Sequence, residues 1–160
     1  MEEIVIADLS LDVHAQAVVD LLNAYSKDEM GGGVELPVYV KTHLVSELRQ
    51  RKEAHVILAF VDNQAAGLVI CLEGFSTFAC KPLLNIHDVI VATAFRGRGL
   101  SKRLLARAEA IAVQRGCCKL TLEVLEGNVP AQAAYTACGY AAYTLRPSMG
   151  KAQFWQKKLL

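Results

Sequence analysis

Apolar positions along the chain recur with two periods. Ile4-Val5-Ile6 is a short β-branched run that reads as a strand. From about Leu11 to Ser26 the apolar residues fall at helical spacing, with Val13, Ala17, Leu21 and Leu22 on one side. Asp12 or Ser10 would cap that helix. A second helical pattern, from about Val38 to Lys52, ends in basic residues that suit the negative end of a helix. His55 to Val61 and Ala65 to Leu72 are apolar runs joined by Asp62-Asn63-Gln64, a hairpin signature. Glu73 to Pro82 is rich in small residues and reads as irregular, and Leu84 to Ala92 is a further strand. From Leu100 to Gln114 the pattern is helical again. Leu100, Leu104, Leu105, Ala108, Ile111 and Ala112 form its stripe, Arg103, Arg107, Ala110 and Gln114 face away, and Gly116 is the stop. Lys119 to Leu125 alternates as a strand, and Val129 to Cys138 is a short helix with Pro130 in its first turn. Tyr140 to Leu145 and Gln153 to Leu159 close the chain as two strands. The expected order is β-α-α-β-β-β-α-β-α-β-β, which makes one α/β domain over residues 1–160 with a mixed sheet.

Composition narrows the function classes. Apolar residues make up 53% of the chain, yet no apolar stretch approaches the ~20 residues that span a bilayer. Met1-Glu2-Glu3 lacks a basic and apolar leader, so a soluble cytoplasmic protein with no membrane partner is expected. The formal net charge of +1 provides no global field to recruit nucleic acid. The five cysteines, including the vicinal Cys117-Cys118, show no metal-ligand spacing with histidine. They read as reduced thiols, with no metal expected.

The segment Arg96-Gly97-Arg98-Gly99-Leu100-Ser101 lies between the apolar strand and the long helix. A glycine-rich, arginine-bearing turn that opens a helix suits an anion, because the first-turn N–H groups are unpaired and the helix dipole is positive there. Three phosphate-binding designs place glycines in such a turn. The nucleoside-triphosphate loop needs a Gly-Lys-Ser or Gly-Lys-Thr, which the chain does not contain. The dinucleotide turn needs a third glycine where Lys102 stands. The third design, R/Q-x-x-G-x-G/A, is met by Arg96 and Gly99, with Ser101 in place of the final small residue.

On these residues, and on Leu122-Glu123-Val124, Asn128, Ala131, Tyr135 and Gly139-Tyr140 downstream, the chain resembles the GNAT family of N-acetyltransferases. The resemblance implies a mixed, mostly antiparallel central sheet flanked by helices, with acetyl-coenzyme A as co-substrate. By it, the pyrophosphate would lie on the backbone from Gly97 to Lys102, with charge from Arg96, Arg98, Lys102 and Arg103. The strand Val89-Ile90-Val91 would pair with the pantetheine arm, and Asn128 would contact that arm, although it also suits a helix cap before Pro130. A strand N–H near Val89 would receive the oxyanion, and Tyr135 would act as general acid to the leaving thiolate. His87, Asp88 and Glu123 are the candidate bases, with His87 and Asp88 expected on opposite faces of the strand.

The acceptor is less defined. Glu73 to Phe78 together with the strand beyond resembles the diamine and polyamine branch, which carries Glu-Asp where this chain has His87-Asp88. Phe75 and Phe78 are candidate acceptor contacts. Asp28, Glu29 and Glu35 flank the Gly31-Gly32-Gly33 loop, which reads as a flexible connector or a substrate lid, and their charges are expected either to attract a cationic amine or to be solvated loop charges. A small primary amine is the expected acceptor, with protein N-termini or lysines as the alternative. A non-catalytic acyl-coenzyme A sensor and a nucleotide-binding protein are the other readings. The resemblance also implies a homodimer formed through the last two strands.

Overall fold

A computed structural model describes residues 1–159. The strands are β1 (Glu2–Ile6), β2 (Ala54–Val61), β3 (Gln64–Ser76), β4 (Lys81–Val91) and β5 (Leu120–Leu122). The helices are α1 (Asp12–Ser26), α2 (Val38–Gln50), α3 (Leu100–Gln114) and α4 (Val129–Ala137). These nine elements follow the expected order, and the sheet runs β1-β2-β3-β4-β5 with every pair antiparallel except β4 and β5. Residues Met1–Leu122 form one compact unit, and the chain from Glu123 onward forms a second. Each is described in turn.

In the first unit the sheet carries helices on both faces. Val56, Leu58, Leu68, Ile70 and Ile90 cluster with Ala17, Val18 and Leu21 of α1, while Leu44 and Leu48 of α2 pack at the margin of that cluster. The opposite face receives α3. A Cβ at Gly67 would stand 2.7 Å from Leu104 Cδ1, so glycine lets the helix approach β3 closely. Leu104 is fully buried, and Leu104→Ala is expected to cost about 2–5 kcal/mol. Urea unfolding would measure that loss, and an unchanged midpoint would mean that α3 does not anchor this face. The β2–β3 connection is tighter than the three-residue signature implied. Asp62 and Asn63 alone turn the chain, with φ of 50° and 63°, the geometry that matches the twist of paired strands.

Several boundaries differ from the pattern reading. Glu73 to Pro82 is not irregular. Glu73, Gly74, Phe75 and Ser76 pair with Leu84, Leu83, Pro82 and Lys81, because the hairpin ladder continues outward past its apolar part. The strand expected over Lys119 to Leu125 shortens to three residues, since the parallel ladder ends at Ile86↔Leu122, where β4 becomes irregular. Neither Asp12 nor Ser10 caps α1. Leu11 holds the cap position, and Ser10 Oγ donates instead to Asp8 Oδ1 at 2.6 Å. Val13 is exposed at the helix start, and Val18 takes the buried place.

In the second unit α4 opens on Asn128, whose side chain accepts from the Ala131 N–H at 3.3 Å. Tyr135 lies on this helix with its ring edge-on to Tyr140, 6.1 Å between centroids. The two closing strands do not form over Tyr140–Leu145 and Gln153–Leu159. Ala152 N–H donates to Tyr143 C=O at 2.9 Å, and a single such bond does not make a ladder. A two-stranded ribbon has little stability without a buried face, and residues 141–159 are exposed. Among the described residues no helix is long and apolar enough to cross a membrane.

Candidate active site

The site begins with an irregularity in β4. Ile70 faces Asp88 across the ladder, but Cys71 faces Ile86, so one extra residue, His87, is inserted on β4. Strict alternation would put Ile86 and Asp88 on one face and His87 on the other. The bulge breaks that alternation. Ile86 stays on the α3 side with Cys71, while Asp88 turns to the α1 side with Ile70. His87 and Asp88 therefore both line one cavity, which corrects the expectation that they occupy opposite faces.

That cavity, about 530 Å³, lies between α1, α2 and the α1 face of the sheet. Its walls are Leu22, Tyr25 and Ser26 from α1, Leu44, Glu47 and Leu48 from α2, Arg51 just beyond, and Ile70 and Leu72 from β3. Gly31 and Leu36 reach it from the triple-glycine segment. Burial pushes the Asp88 carboxyl above its ordinary range, and the adjacent His87 pulls it partly back. The Tyr25 phenol is likewise pushed up, first by burial and then by the negative charges of Asp88 and Asp28. Its hydroxyl donates to Met30 C=O at 3.2 Å. Tyr25 carries no motif that would single it out. Its place here follows from the one-turn spacing to Leu21 and Leu22 on an amphipathic helix.

Beyond the bulge β4 runs toward the glycine turn. Ala92 N–H donates to Ala66 C=O at 2.9 Å, so by antiparallel alternation Val89 and Val91 direct their own N–H and C=O away from β3. β5 pairs only with Leu84–Ile86 of the neighbouring edge. Val89-Ile90-Val91 thus presents strand-edge groups next to the residues that line the cavity.

The chain then enters the turn itself. Gly97 and Gly99 have φ of 76° and 71°, left-handed values that explain why glycine stands at both places. Gly99 is the N-cap of α3 and has no side chain to cap it, so the N–H groups of Leu100, Ser101 and Lys102 open an uncapped helix. The nearby cations are mostly engaged. Arg96 Nη2 lies 3.2 Å from Asp28 Oδ2, and its Nε donates to Val91 C=O at 3.1 Å. Arg103 makes a two-pronged pair with Glu2 at 2.6 and 2.7 Å and donates to Arg98 C=O at 3.1 Å. Arg98 sits 5.6 Å over the Phe95 ring, and Lys102 is exposed.

Asp28, expected to attract an amine, instead ties the triple-glycine segment to Arg96. Its carboxyl is held below the usual range by the Met30 N–H and the Arg96 guanidinium. Glu35 bridges Lys41 at 2.9 Å and Lys27 at 3.6 Å, and Glu29 starts a single 3-10 turn. Phe75 and Phe78 are exposed on the outer β3–β4 hairpin. None of these last four lines the cavity, whereas His87 and Asp88 do. Glu123, Asn128 and Tyr135 belong to the second unit. The cysteines carry free thiols, and burial pushes Cys71 up to about 12, too high for a thiolate near neutral pH.

Comparison with known proteins places this arrangement. An N-acetyltransferase of Archaeoglobus fulgidus, named without an assigned substrate, is 32% identical over 91 residues, 56% of this chain and 62% of that protein. Streptothricin acetyltransferase of Streptomyces lavendulae is 37% identical over 82 residues, 51% of this chain and 43% of that protein. The chain therefore spans less than two thirds of the length of either relative. The crystal structure of a probable acetyltransferase superposes with a TM-score of 0.81 at 23% identity, covering 98% of both chains, a likeness of fold. The acetyltransferase (GNAT) family model matches residues 18–140, from within α1 to just past α4 and across both β4 and the glycine turn. The chain belongs to the GNAT acetyltransferase family.

Proposed function

We propose that the protein moves the acetyl group of acetyl-coenzyme A to the primary amine of a small molecule by direct attack in a ternary complex. One observation carries this reading. A single strand, β4, places the cavity-lining His87 and Asp88 beside the edge groups of Val89 and Val91 that point away from β3, and leads straight into the glycine turn. Acceptor pocket, strand edge and anion turn are thereby continuous in the chain.

The groups divide the work. Backbone N–H groups from Gly97 to Lys102 hold the pyrophosphate, with Lys102 and the arginines adding charge. The Val89–Val91 edge pairs with the pantetheine amides, as an added strand would. Asp88, kept basic by burial, takes the proton of the incoming ammonium directly or through water, with His87 as its neighbour. An alkyl ammonium has a pKa near ~10, so this proton must leave before the nitrogen can attack. The amine nitrogen then bonds to the thioester carbon, and Val89 N–H supports the oxyanion. Collapse breaks the C–S bond, Tyr135 gives its proton to the departing thiolate, and the second proton lost by the attacking nitrogen restores the Tyr135 phenol. The roles of Tyr135 and Asn128 rest on the family resemblance. So does a homodimer, and a cytoplasmic setting belongs to the same proposal.

Purified protein incubated with acetyl-coenzyme A and a panel of amines is expected to release free thiol in an amine-dependent way. Tight coenzyme A binding with no thiol release across the panel would favour a sensor over an enzyme. Thermal protection by ATP or NAD but not by coenzyme A would point to a nucleotide-binding protein.

A further inference from the structure

The cavity beside Asp88 carries more information than the presence of a base. Leu22, Leu36, Leu44, Leu48, Ile70 and Leu72 wall it from four chain segments. Among the described residues of α2 none is fully buried, although Leu44 and Leu48 stand one turn apart and pack at the margin of the core. An apolar stripe that packs at the core margin and also lines a cavity leaves part of its surface for an occupant.

The polar groups in the same wall are largely committed elsewhere. Glu47 Oε2 is paired with Arg51 Nη1 at 2.8 Å, and Arg51 also donates to the Glu47 carbonyl at 2.6 Å. Tyr25 donates to Met30 C=O, and Ser26 Oγ donates to Asn23 C=O at 2.9 Å. His87 and Asp88, adjacent on β4, form one polar end of the cavity, and the half-exposed Glu47–Arg51 pair forms another. A second ammonium or a ring of hydroxyls placed against the leucines between these two ends would lose its hydration without a matching partner. An alkyl or aryl body would find the apolar wall that ligand sites of this size usually offer.

We infer, on the basis of the transferase reading above, that the acceptor is a primary amine on an apolar alkyl or aryl body, its nitrogen at Asp88 and its carbon chain against the α1–α2 leucine wall, rather than a polyamine or an amino sugar. The test is a thiol-release assay with acetyl-coenzyme A and a series from ethylamine to octylamine, with phenethylamine, spermidine and glucosamine alongside. Across the alkyl series kcat/KM is expected to rise about threefold to fourfold per methylene until the cavity is filled. Leu44→Gln is expected to flatten that rise and leave KM for acetyl-coenzyme A unchanged. A series that is flat in the native protein, or spermidine or glucosamine used best, overturns the inference while the transferase reading stands. Absence of thiol release with every amine overturns both.

Discussion

Replacing Asp88 by asparagine is expected to lower kcat for amine acetylation by about 10²–10⁴-fold, the usual worth of a positioned acid or base. KM for acetyl-coenzyme A should not change, because Asp88 lines the α1–α2 cavity and not the glycine turn. The pH profile makes the test specific. Burial raises the Asp88 pKa above its ordinary value, so the acid limb of kcat/KM should fall at a pH above the usual carboxylate range. That limb should vanish in the variant. The stability sign runs the opposite way. A carboxylate with a raised folded-state pKa contributes stability below its unfolded pKa and loses it as pH rises through the folded value. At neutral pH the asparagine variant, which never ionises, should unfold at no lower temperature than the native protein. A variant that is equally active, or one that retains the acid limb, would pass the role to His87 or Glu123.

Tyr135→Phe should cut kcat by about 10²-fold or more while leaving the affinity for coenzyme A intact. The phenylalanine keeps the ring that meets Tyr140 edge-on, so the variant should stay folded, as a cooperative thermal transition would show. A fall in kcat with an unchanged KM is what loss of a proton donor in the transition state predicts. Native turnover in this variant would remove Tyr135 from the mechanism and leave it as a packing residue of α4.

Much of the first unit was legible because its signals are local. The α3 stripe of Leu100, Leu104, Leu105, Ala108, Ile111 and Ala112 is the set that is buried, since a helix facing one layer needs one apolar side. Asp62-Asn63 marked a tight turn because both residues tolerate positive φ. The last two expected strands show the limit of such signals. Apolar alternation over Tyr140–Leu145 and Gln153–Leu159 is necessary for a ribbon but does not supply a partner for it. The cavity residues were the least legible. Phe75 and Phe78 drew attention as aromatics, yet they lie exposed on the outer hairpin, while the plain leucines Leu44 and Leu48 line the cavity.

The order of the first nine elements, the family, and the backbone form of the turn from Arg96 to Ser101 are written in the residues themselves. These depend on periodicity, motif spacing and glycine dihedrals, all of which act over a few neighbouring residues. Long-range packing, by contrast, brings His87 and Asp88 to one cavity, sets Asp28 against Arg96, and lends the leucines of α2 to the wall. The bulge at His87 exists only in the pairing of β4 with Ile70 and Cys71 of β3. One inserted residue in a ladder turns a side chain to the other face, and that depends on the partner strand rather than on the residue itself.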